Sequence, residues 1–305
     1  MPIDFQTHFP VMLPQVLETL CPQDGGIYVD ATFGNGGYTE AILNTANCKV
    51  IALDRDPNVL PRVKELQAIY GDRLEFRAGC FGDFAELVDE QIDGAVFDIG
   101  VSSMQLDQGE RGFSFSKNAP LDMRMSQSGQ TAADIINNLP ESELADLIYQ
   151  YGEERKSRQI AAKIIATRKL KKIETTKELA EIIYSIIRRS PNSIDPATRT
   201  FQALRIAVND ELGELQKGLS GATTRLKSQG RLVVVDFHSL EDRIVKTFFK
   251  NNVGKNRHVS RYAVKPQEQD NAIFKECSKA IFPSEEEVRK NSRSRSAKLR
   301  YAVKQ

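Results

Sequence analysis

The chain has 305 residues, of which 40% are hydrophobic and 27% charged, with a formal net charge of +1; this composition supports a substantial core and excludes wholesale disorder. A charge so close to zero means that any polyanionic partner must be held by local basic patches and not by the overall field. Cys21, Cys48, Cys80 and Cys277 are scattered without a Cys-x-x-Cys pair, the first residues lack a basic-then-apolar secretion pattern, and no apolar run approaches the roughly 18 residues of a membrane span, so a cytoplasmic protein with free thiols, no metal and no membrane partner is expected.

The first third alternates short apolar strands with helical patterns. GIYVDATF (26–33) reads as a strand running into a glycine turn, and TEAILN then opens a helix. KVIALDRDP (49–57) is a second strand closing on Asp54, followed by helical VLPRVKELQAIY with Pro61 in its first turn. RLEFRAGCF (73–81) and DGAVFDIGVSS (93–103) are the third and fourth strands. Near-continuous apolar strands separated by helices predict a parallel sheet buried on both faces. Right-handed crossovers then bring Asp30, Asp54 and Asp98 to one edge.

That rhythm stops after Ser103. Leu144, Leu147, Ile148 and Tyr151 have helical spacing, as do Leu179, Ile182, Ile183 and Ile186, with Thr175 and Glu178 spaced as a capping box. Phe201, Leu204, Val208, Leu212 and Leu215 form a further stripe. These stripes read as core. The same region carries RKLKK (168–172) and IIRRS (186–190), which make one face basic. Strand character resumes in RLVVVDFHS (231–239), followed by helical HSLEDRIVKTFF, with two further strands in NAIFKECSKAIF and SAKLRYAVK. The fold expected is α/β and doubly wound, with residues 1–106 and 208–305 forming the sheet domain and 107–207 a helical insertion.

A glycine turn after the first strand lets bare backbone approach a ligand. Gly34, Gly36 and Gly37 fit that use, but Thr39 stands where G-x-G-x-x-G would need its third glycine. Asp30, four residues before Gly34, suits a cofactor with a cationic amino-acid end better than a pyrophosphate. Asp54 is placed to accept both hydroxyls of a ribose, a feature shared by NAD and S-adenosylmethionine enzymes. Phe81 offers an apolar edge for an adenine ring or a core contact. These residues favour S-adenosylmethionine over NAD.

The stretch DIGVSSMQLDQGERGFSFSKNAPLDMRM (98–125) is more specific. With HFPVMLPQVLETL, DATFGNGGYTEAIL, YGEERKSRQIA, DPATRTFQALRIAVNDEL, FHSLEDRIVK and SRSRSAKLR it resembles, in order and spacing, the bacterial 16S ribosomal RNA cytidine N4-methyltransferase family, also called MraW. The resemblance implies a class I S-adenosylmethionine-dependent methyltransferase domain, Rossmann-like, with a helical insertion domain for substrate recognition. It also implies methyl transfer to one cytidine in the decoding (P-site) region of 16S rRNA of the small ribosomal subunit. Carried over by motif position, cofactor contacts fall on Gly36, Gly37, Tyr38, Asp54, Phe81, Asp98 and Gln105, with Asp30 and Gly34 as additional candidates. Four positions depart from the family pattern: Tyr38 replaces a usual histidine, Met104 a proline, Asp195 a frequent histidine, and Asp236 a small polar residue.

A cytosine amine is a weak nucleophile because its lone pair is delocalised into the ring, so the reaction needs alignment and acceptors for the departing proton. Candidates for that chemistry are Asp98, Ser103 and His238. Candidate RNA contacts are Arg111 and Phe113 in ERGFSF, and Arg293, Arg295 and Arg300 in RKNSRSRSAKLR, a segment with six basic residues and no acid. Phe113 and Phe115 equally suit a buried strand, and the basic segment equally suits a solvated one. The competing functions are a class I methyltransferase acting on another RNA and a non-catalytic RNA-binding protein; monomer and homodimer both stay open.

Overall fold

A computed structural model describes residues 10–101, 105, 108–190, 193–254 and 272–305. The chain divides into two compact units, 1–100 with 213–305, and 101–212.

The first unit is built on a seven-stranded sheet. Its strands are β1 (Ile27–Asp30), β2 (Lys49–Asp54), β3 (Leu74–Ala78), β4 (Ile92–Asp98), β5 (Leu226–Asp236), β6 (Phe274–Cys277) and β7 (Lys298–Lys304). Their order is β3-β2-β1-β4-β5-β7-β6. The β1–β2, β2–β3, β1–β4 and β4–β5 pairs are parallel, whereas β7 runs antiparallel to β5 and β6 antiparallel to β7. This is the doubly wound α/β arrangement expected. The chain winds outward from β1 in one direction and returns through β4 in the other, so the switch point lies between β1 and β4, where such sheets open a ligand crevice. The apolar strand runs bury Val29, Ile51, Leu53, Ala95, Phe97, Leu232 and Val234 in one cluster on one side of the sheet.

Helices α1 (Leu13–Leu20), α2 (Gly37–Thr45), α3 (Leu60–Tyr70) and α4 (Phe84–Leu87) belong to the first half of this unit. The predicted fifth strand needs correcting at both ends. It begins at Leu226, five residues early, and crosses an irregularity where Ile92 pairs with Leu226 but Gly94 with Arg231. It stops at Asp236, because Glu241 takes the backbone N–H groups of Phe237 and His238 at 2.9 and 3.2 Å and turns the chain into a helix.

The 101–212 unit is helical: α5 (Ala132–Asn138), α6 (Glu141–Gly152), α7 (Ser157–Arg168), α8 (Thr176–Tyr184) and α9 (Ala197–Asn209). Leu144, Ile148, Ile160, Ile164, Leu179, Ile183, Phe201 and Leu204 meet in its core. The capping box at Thr175 forms as its spacing indicates, with Glu178 N–H donating to Thr175 Oγ1 at 3.3 Å and Thr175 N–H to Glu178 Oε2 at 3.1 Å. The stripe from Phe201 to Leu215 is not one helix. Asp210 takes a left-handed φ of 46° and separates α9 from α10 (Glu211–Arg225). The remaining helices, α11 (Ser239–Asn252) and α12 (Glu285–Lys290), follow β5 and precede β7.

Candidate active site

The parallel strands end in register along one edge. Asp30 stands beside Ala52 and Val96, Asp54 beside Ala78, and Asp98 beside Val235. Side-chain burial and hydrogen bonding then give the three acids different duties.

Asp30 is fully buried and its carboxylate is spent internally. It accepts from Thr32 N–H at 3.2 Å, and from the N–H and hydroxyl of Thr39 at 3.1 and 2.7 Å. Burial raises its pKa to about 6, against the lowering effect of those hydrogen bonds. Asp30 therefore clamps the glycine loop to the start of α2, and its full burial, not the number of its hydrogen bonds, keeps it from a ligand. Thr39, at the position where a dinucleotide fingerprint has its third glycine, is the residue this clamp requires. Thr32 does not stand out in the sequence, and Thr39 does so only as a missing glycine.

Gly36, at φ 76°, is the N-cap of α2, a backbone state that side chains rarely adopt. A β-carbon there would lie 2.7 Å from Leu66 Cδ1 and 2.9 Å from Phe33 Cζ. Gly34 is also left-handed, at φ 52°, and its N–H donates to Asp54 Oδ2 at 2.8 Å. The other Asp54 oxygen accepts Asp56 N–H at 2.8 Å. Each oxygen keeps a second lone pair, so Asp54 is both the anchor of the loop and a fixed acceptor at the end of β2. Burial raises its pKa from the ordinary value.

Tyr38 and Gly37 serve packing. The Tyr38 ring is 4% exposed and its hydroxyl donates to Val11 O, so any contact it makes with a ligand at the loop comes from its backbone. A β-carbon on Gly37 would sit 2.3 Å from Pro10 Cγ. Phe81 follows β3 and packs edge-on to Phe97 at 5.8 Å between ring centroids. It is half-buried and is supported from behind by α10, whose Gly218 would drive a β-carbon to 2.7 Å from Phe81 O.

Asp98 differs from both other acids. Its backbone N–H donates to Thr32 Oγ1 at 2.8 Å, but its carboxylate Oδ1 is buried without a hydrogen-bond partner among the described residues. Burial, then the charges of Asp30 and Glu241, push its pKa up to about 8. A buried carboxyl left open in this way is prepared to accept or donate a proton near neutral pH.

Glu241 is the functional candidate that sequence reading passes over. It is fully buried, and Oε1 lies 2.9 Å from His238 Nε2 while Oε2 holds the two backbone N–H groups already described. Despite that distance, neither His238 ring nitrogen has a well-angled hydrogen-bond partner among the described residues. The His238-x-x-Glu241 spacing at a helix start was the available signal. His238 itself is the N-cap of α11 and not the last residue of a strand.

Asp236, two residues before His238, has both carboxylate oxygens buried and unpartnered among the described residues, and burial with the Asp242 charge raises its pKa to about 8. The folded protein thus holds a proton that the unfolded chain releases above its ordinary value of 3.8. The corresponding stability is complete below that value and is lost as pH rises through about 8. Asp236→Asn is therefore expected to melt about 4 °C or more above wild type at pH 9, with the difference shrinking steadily as pH falls toward 4. Melting curves across that range check this, and a pH-independent difference would contradict it.

The structure brings Gly34, Gly36, Asp54, Phe81, Asp98 and His238 into the sheet unit. Gln105, a buried residue, belongs to the helical unit, and Ser103 and Met104 lie outside the described residues. Several expected RNA contacts need correcting. Arg300 faces inward from β7 and gives Nε to Asp242 Oδ1 at 2.7 Å, with Lys298 on the other oxygen at 3.1 Å. Phe113 is a core residue beside Leu121, Met123 and Met125. Arg111 donates to the carbonyls of Arg124 and Met125 at 2.8 and 2.9 Å, which holds its own loop together. Arg293 and Arg295 are exposed on a short turn, Ser292–Ser296.

The donor set fits S-adenosylmethionine: a glycine loop that admits no β-carbon at Gly36, an anchored acceptor at Asp54, an apolar edge at Phe81 and an open buried carboxyl at Asp98. Comparison with known proteins gives the same direction. A sequence description of the MraW methylase family matches residues 5–305. A protein of Paramagnetospirillum magneticum named Ribosomal RNA small subunit methyltransferase H is 52% identical over 307 residues, spanning 98% of this chain and 96% of its own. Proteins of the same name from Parvibaculum lavamentivorans and Rickettsia massiliae are 53% and 54% identical over 300 residues. Each alignment covers 97% of this chain, with 88% of the first relative and 98% of the second.

Proposed function

Since the chain belongs to the MraW methylase family, we propose that it methylates the exocyclic N4 of one cytidine in the decoding region of 16S rRNA, using S-adenosylmethionine. The single observation that supports the chemistry best is Asp98 Oδ1, buried without a partner among the described residues at the end of β4, beside the switch point of the sheet.

Bound, S-adenosylmethionine supplies an activated methyl group. Asp54 would accept its ribose hydroxyls, and the Gly34–Gly36 backbone and Phe81 would complete its seat on the sheet unit. Asp98, as carboxylate, takes the N–H proton from the cytosine amine and thereby returns lone-pair density to nitrogen. His238, whose Nε2 lies 2.9 Å from Glu241 Oε1, orients the base. The target cytidine must leave its stack to reach such a site, which a single-stranded or splayed segment allows. Arg293 and Arg295 contact RNA phosphates in this reading.

Calorimetry with S-adenosylmethionine and with NAD, followed by transfer of a labelled methyl group to small subunits that lack the modification, tests the reading. Binding of the first cofactor alone and label in the rRNA are expected. Label in another RNA class, with none in the small subunit, would transfer the chemistry to a different substrate.

A further inference from the structure

Charge is unevenly placed in the helical unit. The segments 153–158, 186–190 and 194–199 contain six cations, Arg155, Lys156, Arg158, Arg188, Arg189 and Arg199, against three carboxylates. Three contacts gather these segments at one end of the unit. Lys156 Nζ donates to Ile186 O at 3.3 Å, Arg189 Nε lies 3.2 Å from Asp195 Oδ2, and Arg199 Nη1 lies 3.8 Å from Glu154 Oε2. Glu154 is itself buried, so it fixes Arg199 without exposing its own charge. Arg189 stacks on the Tyr184 ring at 3.8 Å, which sets the plane of its guanidinium.

We propose that this end of the helical unit grips the phosphate backbone of the rRNA substrate. The inference rests on the reading of the protein as an rRNA methyltransferase. Five of the six cations are arginine, whose planar fork matches phosphate oxygens in a way that lysine does not. Arg155 and Arg188 are exposed and form no ion pair among the described residues, so they are available to a new anion. The other basic run, Arg168–Lys172, holds three lysines, and its one arginine already donates to Ile136 O at 2.6 Å. It is the weaker candidate on that ground.

The test is the double charge reversal Arg155→Glu with Arg188→Glu, titrated against unmodified small subunits and against deproteinised small-subunit rRNA at several salt concentrations. Both residues are exposed, and unchanged S-adenosylmethionine affinity by calorimetry verifies the fold. Affinity for both substrates is expected to fall about tenfold or more near 0.1 M salt, and the slope of log K against log salt to flatten by roughly 1.4–1.8. The control pair Lys169→Glu with Lys172→Glu is expected to change both quantities less. Wild-type affinity and slope in the first variant would overturn the proposal, as would a larger effect in the control pair. A loss confined to intact subunits would also overturn it, by showing that the surface meets ribosomal protein. If wild-type protein binds neither substrate, the rRNA reading itself fails and the proposal falls with it; binding by wild type with no loss in the variant removes only the proposal.

Discussion

Asp98→Asn is expected to lower methyl transfer at saturating cofactor on the order of 10³-fold while raising the melting temperature of the protein at pH 8 to 9. The two effects have one origin. Asp98 Oδ1 is buried without a partner among the described residues, and burial lifts the carboxyl pKa to about 8. Ionising it is costly to the fold, and the carboxylate so formed is the proton acceptor of the proposed reaction. General base catalysis contributes about 10²–10⁴-fold in rate, which sets the size of the loss. The sign of the stability change follows from linkage. The folded-state pKa is raised, so stability is complete below 3.8 and declines as pH passes through about 8; asparagine removes that decline. Wild-type turnover should climb with pH toward a plateau above about 8 and the residual activity of the variant should not. An Asp98→Asn enzyme within fivefold of wild type would remove Asp98 from the proton transfer.

The second large effect is on cofactor affinity. Asp54→Ala removes the proposed acceptor for ribose hydroxyls together with the anchor for Gly34 N–H and Asp56 N–H. Hydrogen bonds to a charged group contribute about 1.5–3 kcal/mol each, so a rise of roughly 10²-fold in the S-adenosylmethionine Kd is expected. Asp54→Asn keeps one acceptor oxygen and should lose less. Calorimetry on both variants measures this, and turnover extrapolated to saturating cofactor should stay within about tenfold of wild type. An unchanged Kd in Asp54→Ala would show that the acid serves the loop alone.

Much of the sheet was legible because a strand buried on both faces must be apolar along its length, and 49–54 and 92–98 are. The acids at strand ends were legible for the same reason, since each interrupts an apolar run. What the sequence could not show was which acid stays open. Asp30 and Asp98 look alike as strand-terminal aspartates, but Thr32 and Thr39 satisfy the first and leave the second without a partner on Oδ1. Arg300 shows the converse failure. In RSRSAKLR it reads as one more exposed cation, whereas its partner, Asp242, is 58 residues earlier in the chain and meets it only in the folded sheet unit. Tyr38 reads as a loop residue at a cofactor site, and its hydroxyl turns instead to Val11 O. Local spacing carried the capping box at Thr175 correctly because both its partners lie within one helical turn. The same spacing at His238 and Glu241 hid a buried acid 2.9 Å from the histidine ring.

The central claim is that Asp98 directs a methyl group onto the N4 nitrogen of a cytidine in small-subunit rRNA. The measurement that tests it most directly is mass spectrometry of nucleosides from unmodified small subunits treated with the protein and isotopically labelled S-adenosylmethionine. The account predicts a labelled N4-methylcytidine at a single position with wild type, and its near absence with Asp98→Asn. Label on carbon 5 of cytosine, on a ribose hydroxyl or on another base, or N4-methylcytidine made equally well by Asp98→Asn, would contradict it.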